Sequence, residues 1–564
     1  MNSKRGCIAL LLLIWTVAIC VVDPVGEFMI NDDFAYTTAF ETLRNEGVLG
    51  PTWLGPQGEG GGPALIIHLL WGLLFSEVFG YSITILRISV LAISIMGSIA
   101  FFFLLKATKA GDWVSFWGTL TLMFNPLYFS QSFTYMTDVT FVSLVIISFL
   151  LIQRGIDKRQ TFPVAIGLVF GLLATLTRQL GVIISVAFVL TCFIQPKGRQ
   201  FGPRKAVFMT LLVAIVPWLA FEYFLHHSGS TPLTEHQSLY NLLNYPISKG
   251  FPDYIFFILG QMCLSIGYTA FLSSPVVALL YGQYFRKTAY RYFFLVVTAL
   301  FVALELAIIT GLLTPPIVFA RNVVFNFGIG PILLKDNYIL GIERMTSLSP
   351  GVFYIFVLWA VLSLGMALPL VYHSVCEISK MIIRPVRNGK VTFLTCLTLI
   401  FVLLYGAIIV SIDFRDRYLI PLSAMLIIFL FSYSDGLRDF RFSIKGSAPA
   451  AAALAVMIVF SVVGTHDFMA LKRSQTLALD YLTRDLKVTP GFIDGGFEFN
   501  GYHCYRPDYK PLEGRSWWWV DREDYVITLG DIHGFQKVKE FPFRRLLGSD
   551  GAIHILKPNI FETQ

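Results

Sequence analysis

Pro63-Ala64-Leu65-Ile66-Ile67-His68-Leu69-Leu70-Trp71-Gly72-Leu73-Leu74-Phe75-Ser76-Glu77-Val78-Phe79-Gly80 is apolar apart from His68, Ser76 and Glu77. As a helix it would measure only about 27 Å at 1.5 Å per residue, short of a hydrocarbon core of about 30 Å. Its reading decides the parity of the chain. Counted as a crossing, it would flip every later loop and put the basic ones outside. Read as a helix lying at the outer interface, or as a re-entrant one, it leaves the basic loops 154–159, 197–205, 286–291, 380–390 and 438–445 all inside. That is the side where short loops concentrate Lys and Arg, so the interfacial reading is adopted.

The rest of the chain fits this frame. Its 564 residues are 55% hydrophobic and 14% charged, with mean hydropathy +0.67, against about 25% charged in an average soluble protein. Lys4 and Arg5 precede an apolar run from Cys7 to Val22. A cleaved signal peptide starts the same way, but small residues at a cleavage site are poor, and the run reads as a retained span. Further spans are expected near 81–105, 113–129, 138–153, 162–177, 180–195, 206–225, 263–284, 292–312, 351–374, 391–410, 418–434 and 448–465. The fold class is thus an α-helical polytopic membrane protein of about 13 transmembrane helices. The net charge of +7 sits in loops that set orientation, which excludes a nucleic-acid partner. The seven cysteines show no metal or disulfide spacing.

From His466 onward the charge is dense and nearly balanced. Residues 471–486 read as a helix, and 524–530, 537–541 and 552–556 alternate like strands. The expected organisation is a transmembrane domain over 1–465, with an outer loop over 26–80, and a small extracytoplasmic α/β domain over 466–564.

Two acidic spots fall on the outer face. Asn31-Asp32-Asp33-Phe34-Ala35-Tyr36 follows the first span, and Tyr135-Met136-Thr137-Asp138 opens a later one. Carboxylates at membrane depth are costly and point to function. The plainer alternatives are a solvated loop and helix caps. Residues 125–135, rich in hydroxyl and aromatic groups, suit a carbohydrate pocket. Arg178, Arg321, Arg344, Arg415 and Arg417 lie outside or at outer span ends. Each is either a snorkelling residue or a planar fork for phosphate oxygens. Asp32, Asp33 and Asp138 could bind Mg²⁺ or Mn²⁺ through oxygen, although no spacing demands a metal. The long loop 315–350, carrying Lys335 and Asp336, is expected to cover the site or bind acceptor. His68 reads as a packed or headgroup-facing histidine, and Trp517-Trp518-Trp519 as an interfacial group.

Taken in order, these motifs resemble the GT-C glycosyltransferases. They are the acidic pair, the Pro-led helix ending Val78-Phe79-Gly80, Arg87, Asp138, Leu176-Thr177-Arg178-Gln179, Arg415-Asp416-Arg417-Tyr418-Leu419-Ile420-Pro421 and Asp494-Gly495-Gly496-Phe497-Glu498-Phe499-Asn500. The likeness is closest to the bacterial protein O-mannosyltransferase and aminoarabinose-transferase branch. It implies an enzyme of the bacterial plasma membrane that moves a sugar from a polyprenyl-phosphate donor to a glycan, lipid or protein acceptor on the outer face, with inversion. It implies Asp32 or Asp33 as base, with Asp32 preferred, and Asp138 as a group that orients the acceptor, positions the base or holds a cation. Arg417, Arg415, Arg178 and Arg321 would meet donor phosphate. Tyr36, Glu59, Tyr135, Lys335 and Asp336 would meet acceptor or sugar. One departure stands out: related aminoarabinose transferases carry a lysine before the interfacial helix, whereas Gln57-Gly58-Glu59-Gly60-Gly61-Gly62-Pro63 has none. A transporter or flippase of lipid-linked glycans, or a polymerase or ligase, are the alternatives. Transporters show repeated halves and midplane charges, and neither is clear here.

Overall fold

In the computed structural model the structure describes residues 3–48, 65–227, 244, 246–248, 250–284, 299, 303, 322–325, 328–330, 332–336, 359, 392–412, 415–433, 444–506, 508–510, 516 and 518–559. Among these, seven helices are long and apolar enough to cross a membrane, and three shorter apolar helices accompany them. The chain is a multi-pass helical membrane protein. The expected spans near 292–312 and 351–374 lie outside the described residues.

Helix α1 (Ser3–Val22) leads through an irregular loop into α2 (Asp33–Glu46). Helix α3 (Ile66–Phe79) has 14 residues, about 21 Å of helix, too short to cross a core of about 30 Å. Ser82 caps α4 (Ile83–Ala107) by accepting from the Ile85 amide. Helix α7 (Thr137–Lys158) packs against α4 and against α8 (Thr161–Thr175). Small residues make this approach close: a Cβ on Gly97 of α4 would collide with Ser143 of α7. In a bilayer, close packing of this kind takes the place of the hydrophobic drive between helices.

The helix expected over 113–129 is broken in two, α5 (Asp112–Met123) and α6 (Pro126–Gln131). Pro126 cannot donate to the preceding turn, and the Asn125 side chain caps the new helix by accepting from Leu127 and Tyr128. The Phe124 carbonyl freed at the break accepts from Ser461 Oγ at 2.8 Å. The span expected at 263–284 is displaced too. One helix runs Phe251–Leu272 with Gly250 at its N-cap, and a second, Ser274–Tyr284, restarts at Ser274-Pro275. Asp253 and Pro252 in its first turn disguised the earlier start.

The two ends of the bundle differ in charge. Lys4 and Arg154 both lie over the Phe103 ring, Lys106 pairs with Asp112, and Lys197 pairs with Asp157. At the opposite end, Glu27 accepts from the amides of Ile83 and Thr84, and Arg87 donates to the carbonyls of Pro24, Gly26 and Phe28. These bonds hold the loop carrying the acidic pair against the head of α4.

The helix expected to end near 465 instead runs unbroken from Ile444 to Asp480. Its 37 residues measure about 56 Å, so much of it projects beyond a bilayer core. The tail builds a four-stranded mixed sheet against it, ordered β1 (Ile493–Asp494), β2 (Tyr525–Thr528), β4 (Gly551–Pro558), β3 (Phe535–Phe543). Strand β1 is parallel to β2 and the other pairings are antiparallel, with a register shift between Lys537 and Lys539. Ile493, Ile527, Ile553 and Ile555 bury one face against Leu471 and Ala478 of the helix and Leu482 of the turn that follows it.

Candidate active site

Residues far apart in sequence converge where α2, α7 and the Asp416–Leu419 turn meet. Asn31 holds φ +58°, a left-handed conformation tolerated best by Asn, Asp and Gly. This bend sends the two acids that follow in different directions. Asp32 Oδ2 accepts from Arg417 Nη2 at 2.7 Å. Asp138, in the first turn of α7, lies 3.0 Å from Arg178 Nη2. That contact is an ion pair without hydrogen-bond alignment, and both Asp138 oxygens lack a hydrogen-bond partner. Arg178 Nε donates to Thr137 Oγ1 at 2.9 Å. Both guanidinium groups lie over the Tyr418 ring, at 5.3 and 5.8 Å, where the ring face attracts cations.

Two acids and two arginines thus form a buried cluster with no net charge. Burial works against the charge of both arginines. Asp138 nonetheless holds Arg178 above its ordinary range, and Asp32 with Asp138 holds Arg417 well above it. Tyr36 is buried within the field of these four groups, and burial first, then Asp32, raises its hydroxyl. Arg417 uses only one nitrogen on Asp32: its Nε and Nη1 are buried and unpartnered.

Asp33 is a different kind of group. Its Oδ1 accepts from the Ile30 amide at 2.5 Å and its Oδ2 from the Tyr135 amide at 3.3 Å. It is 1% exposed. Burial pushes its carboxyl up to about 7, against the Ile30 amide and Arg87. Tyr135 goes with this bracket: its hydroxyl donates to the His68 carbonyl at 3.3 Å, and its ring lies 4.3 Å from the His68 ring. His68 is itself buried, bonding Thr140 Oγ1 and the Tyr135 carbonyl.

The remaining expected residues are scattered. Arg415 is exposed, while Arg321, Arg344, Glu59 with its glycine run, and Trp517 lie outside the described residues. Lys335 pairs with Glu523, and Asp336 Oδ2 accepts from the Leu529 amide at 2.7 Å. Both fasten their segment to the tail rather than reaching the cluster. Trp519 is buried beside Phe34 and Phe497, so it packs the tail and not a membrane interface. Among the described residues no group of three acids, histidines or cysteines is placed to hold a metal. Asp32 and Asp138 face arginines and Asp33 faces amides, so these carboxylates do not fit a cation site.

Two contributors escaped the sequence reading. Asp416 accepts from the amides of Val323, Val324 and Arg417 at 2.8–3.1 Å. It fixes the turn that aims Arg417, and burial raises it to about 6. The signal is present in Arg415-Asp416-Arg417, a carboxylate set between two cations. Glu498, paired with Lys472 at 3.0 Å, accepts from the Asn31 amide at 3.0 Å. It binds the tail to the residue preceding Asp32.

No family model matches the chain, and no curated protein matches it. Among solved structures, ArnT from Cupriavidus metallidurans in the apo state is similar at 12% identity and TM-score 0.34, over 88% of this chain and 83% of that one. The same protein bound to undecaprenyl phosphate is similar at 10% identity and TM-score 0.36, over 98% and 97%.

Proposed function

We propose that this chain is a GT-C-type glycosyltransferase that moves a sugar from a polyprenyl-phosphate donor to an acceptor hydroxyl at the outer face of a bacterial plasma membrane. The observation that carries this reading is Arg417, whose Nε and Nη1 are buried without partners while Nη2 holds Asp32. Two adjacent guanidinium donors match two oxygens of a phosphate. A guanidinium left so is costly unless a ligand completes it.

The chemistry follows from the placement. The acceptor oxygen attacks the anomeric carbon as the bond to the lipid phosphate breaks, through an oxocarbenium-like transition state. The leaving phosphate takes the electron pair, and Arg417 with Arg178 stabilises its developing charge. Asp32 takes the proton from the acceptor hydroxyl. As phosphate engages Arg417, the Asp32–Arg417 pair loosens and the carboxylate becomes a better base. Asp138, with both oxygens able to accept, orients the acceptor. A single displacement inverts the anomeric centre. No step requires a metal.

Sidedness is part of the proposal. Lys4, Lys106, Arg154 and Lys197 cluster at one end, which the positive-inside rule assigns to the cytoplasm. The acidic cluster and the sheet-bearing tail then face outward, with α3 at the interface. In this reading 1–465 is the catalytic membrane domain and 466–564 an outer domain, with the long helix running continuously from one into the other.

The test is sugar transfer by purified protein in lipid, given a panel of polyprenyl-phosphate sugars and cellular acceptor extract. Wild type is expected to transfer from at least one donor, and Arg417→Ala to lose about 10²–10³-fold, the scale of one lost electrostatic donor. No transfer from any donor by wild type overturns the reading.

A further inference from the structure

A cleft of about 300 Å³ lies away from the cluster. It opens between the Glu27–Met29 loop, the head of α4 at Ile83 and the projecting end of the long helix, with the short Phe497–Cys504 helix as its floor. The size is at the lower end for small-molecule sites. Its chemistry is specific.

Every charge lining the cleft already has a partner. Lys472 faces Glu498 at 3.0 Å and Arg484 faces Asp480 at 3.2 Å. Glu27 accepts from the Ile83 and Thr84 amides. Burial lowers His503 below its ordinary range, which disfavours its charged form. An anionic ligand would meet no free counter-charge here, since both cations of the lining are paired. One acceptor is left over: Glu498 is 3% exposed, and its Oε2 is buried with no hydrogen-bond partner. Since Lys472 already balances the charge of Glu498, that oxygen calls for a neutral donor such as a hydroxyl. Phe28, Phe499 and Tyr502 supply apolar ring surface alongside. Hydroxyls for Oε2 and C–H faces for the rings describe a saccharide.

The cleft also shares a wall with the catalytic loop. The other oxygen of Glu498 holds the Asn31 amide, one residue before Asp32. We propose that this cleft binds a neutral saccharide unit of the acceptor, set back from the hydroxyl that is modified. The acceptor is then a glycan or a glycan-bearing molecule. Assigning the saccharide to the acceptor rests on the glycosyl-transfer reading, whereas saccharide binding itself does not.

The test uses the full chain in lipid nanodiscs. Chitotriose and mannotriose are titrated by calorimetry with trigalacturonate as the charged control, against wild type, Thr483→Trp, Thr476→Trp and Asp32→Asn. Thr476 on the long helix and Thr483 in the π-helical turn that follows it line the cleft, so tryptophan there fills it without touching the cluster. The expected result is saturable binding of a neutral trisaccharide, weakened at least about tenfold by either tryptophan, which is about 1.4 kcal/mol, and unchanged in Asp32→Asn. No neutral binding, preference for trigalacturonate, or binding indifferent to both tryptophans overturns the saccharide site. In transfer assays the tryptophan variants are expected to raise the acceptor KM at nearly constant kcat, and an unchanged KM overturns the acceptor assignment. Saccharide binding by a wild type that transfers no sugar leaves the cleft standing and removes only the glycosyl-transfer reading.

Discussion

Asp32 and Asp33 are neighbours in sequence and opposites in structure. Asp33, like Asp416, is a buried carboxylate whose oxygens are taken by backbone amides. Asp32 and Asp138 are held by arginines alone, in a cluster that retains unused donors on Arg417 and unused acceptors on Asp138. The difference separates two uses of a buried acid. Amides that cannot leave make a clamp that fixes backbone. Arginine partners that can be shared with an incoming anion make a candidate site. Burial and charge alone rank Asp33 above Asp32; the identity of the partners reverses the order.

The sharpest way to break this contrast is to neutralise each acid in turn. Asp32→Asn is expected to cut transfer by about 10²–10⁴-fold, the range for a lost general base, with the protein still folded by near-ultraviolet circular dichroism. Asp33→Asn keeps one acceptor oxygen and is expected to stay within about tenfold of wild type. Equal losses in the two variants erase the distinction.

Asp33→Ala removes both acceptors and orphans two buried amides. The penalty is about 1–3 kcal/mol for each unsatisfied group, read as a lower thermal midpoint in detergent, while activity per folded molecule falls far less than for Asp32→Asn. A midpoint unchanged from wild type would show that Asp33 is no clamp.

The pH dependence refines the clamp. Burial holds the Asp33 carboxyl near 7 in the folded protein against an ordinary 3.8. The folded state therefore keeps a proton that the unfolded chain has released. Stability from this group is full below about pH 4 and is lost as pH rises through about 7. Asp33→Asn cannot ionise and lacks this slope. The difference in midpoint between wild type and variant should move against wild type over that window, and a flat difference contradicts the assignment.

The smallest effect is expected at Arg415. It is exposed, so Arg415→Ala should change transfer by less than about threefold and stability within about 0.5 kcal/mol. A loss near that of Arg417→Ala would bring Arg415 into the site.

Much of the membrane architecture was legible in the chain. The first span, the spans beginning near 81, 138 and 391, and the short helix after Pro63 follow from apolar length and loop charge, signals carried within each segment. What failed depended on partners elsewhere. Ser461 makes the break at Asn125-Pro126 tolerable, and a residue more than 300 positions away leaves no local trace. The long helix crosses a change in composition at 465 because helical hydrogen bonding ignores which solvent surrounds it, so composition marked a boundary that the backbone does not have. Of the candidate site, residue types and order singled out Asp32, Asp138, Arg178 and Arg417, which the fold brings together. The pairing of Asp32 with Arg417 and Asp138 with Arg178 could not be read, because it depends on the Asn31 bend and on the Asp416 clamp. The same gap led Lys335 and Asp336 to be expected at the site, when their partners lie in the tail.

The most direct measurement is transfer by wild type, Asp32→Asn and Asp33→Asn side by side in lipid, with the donor panel and acceptor extract and folding checked for each. The account predicts transfer by wild type, retention in Asp33→Asn within about tenfold, and loss of at least about 10²-fold in Asp32→Asn. Retention in Asp32→Asn with loss in a folded Asp33→Asn would contradict it.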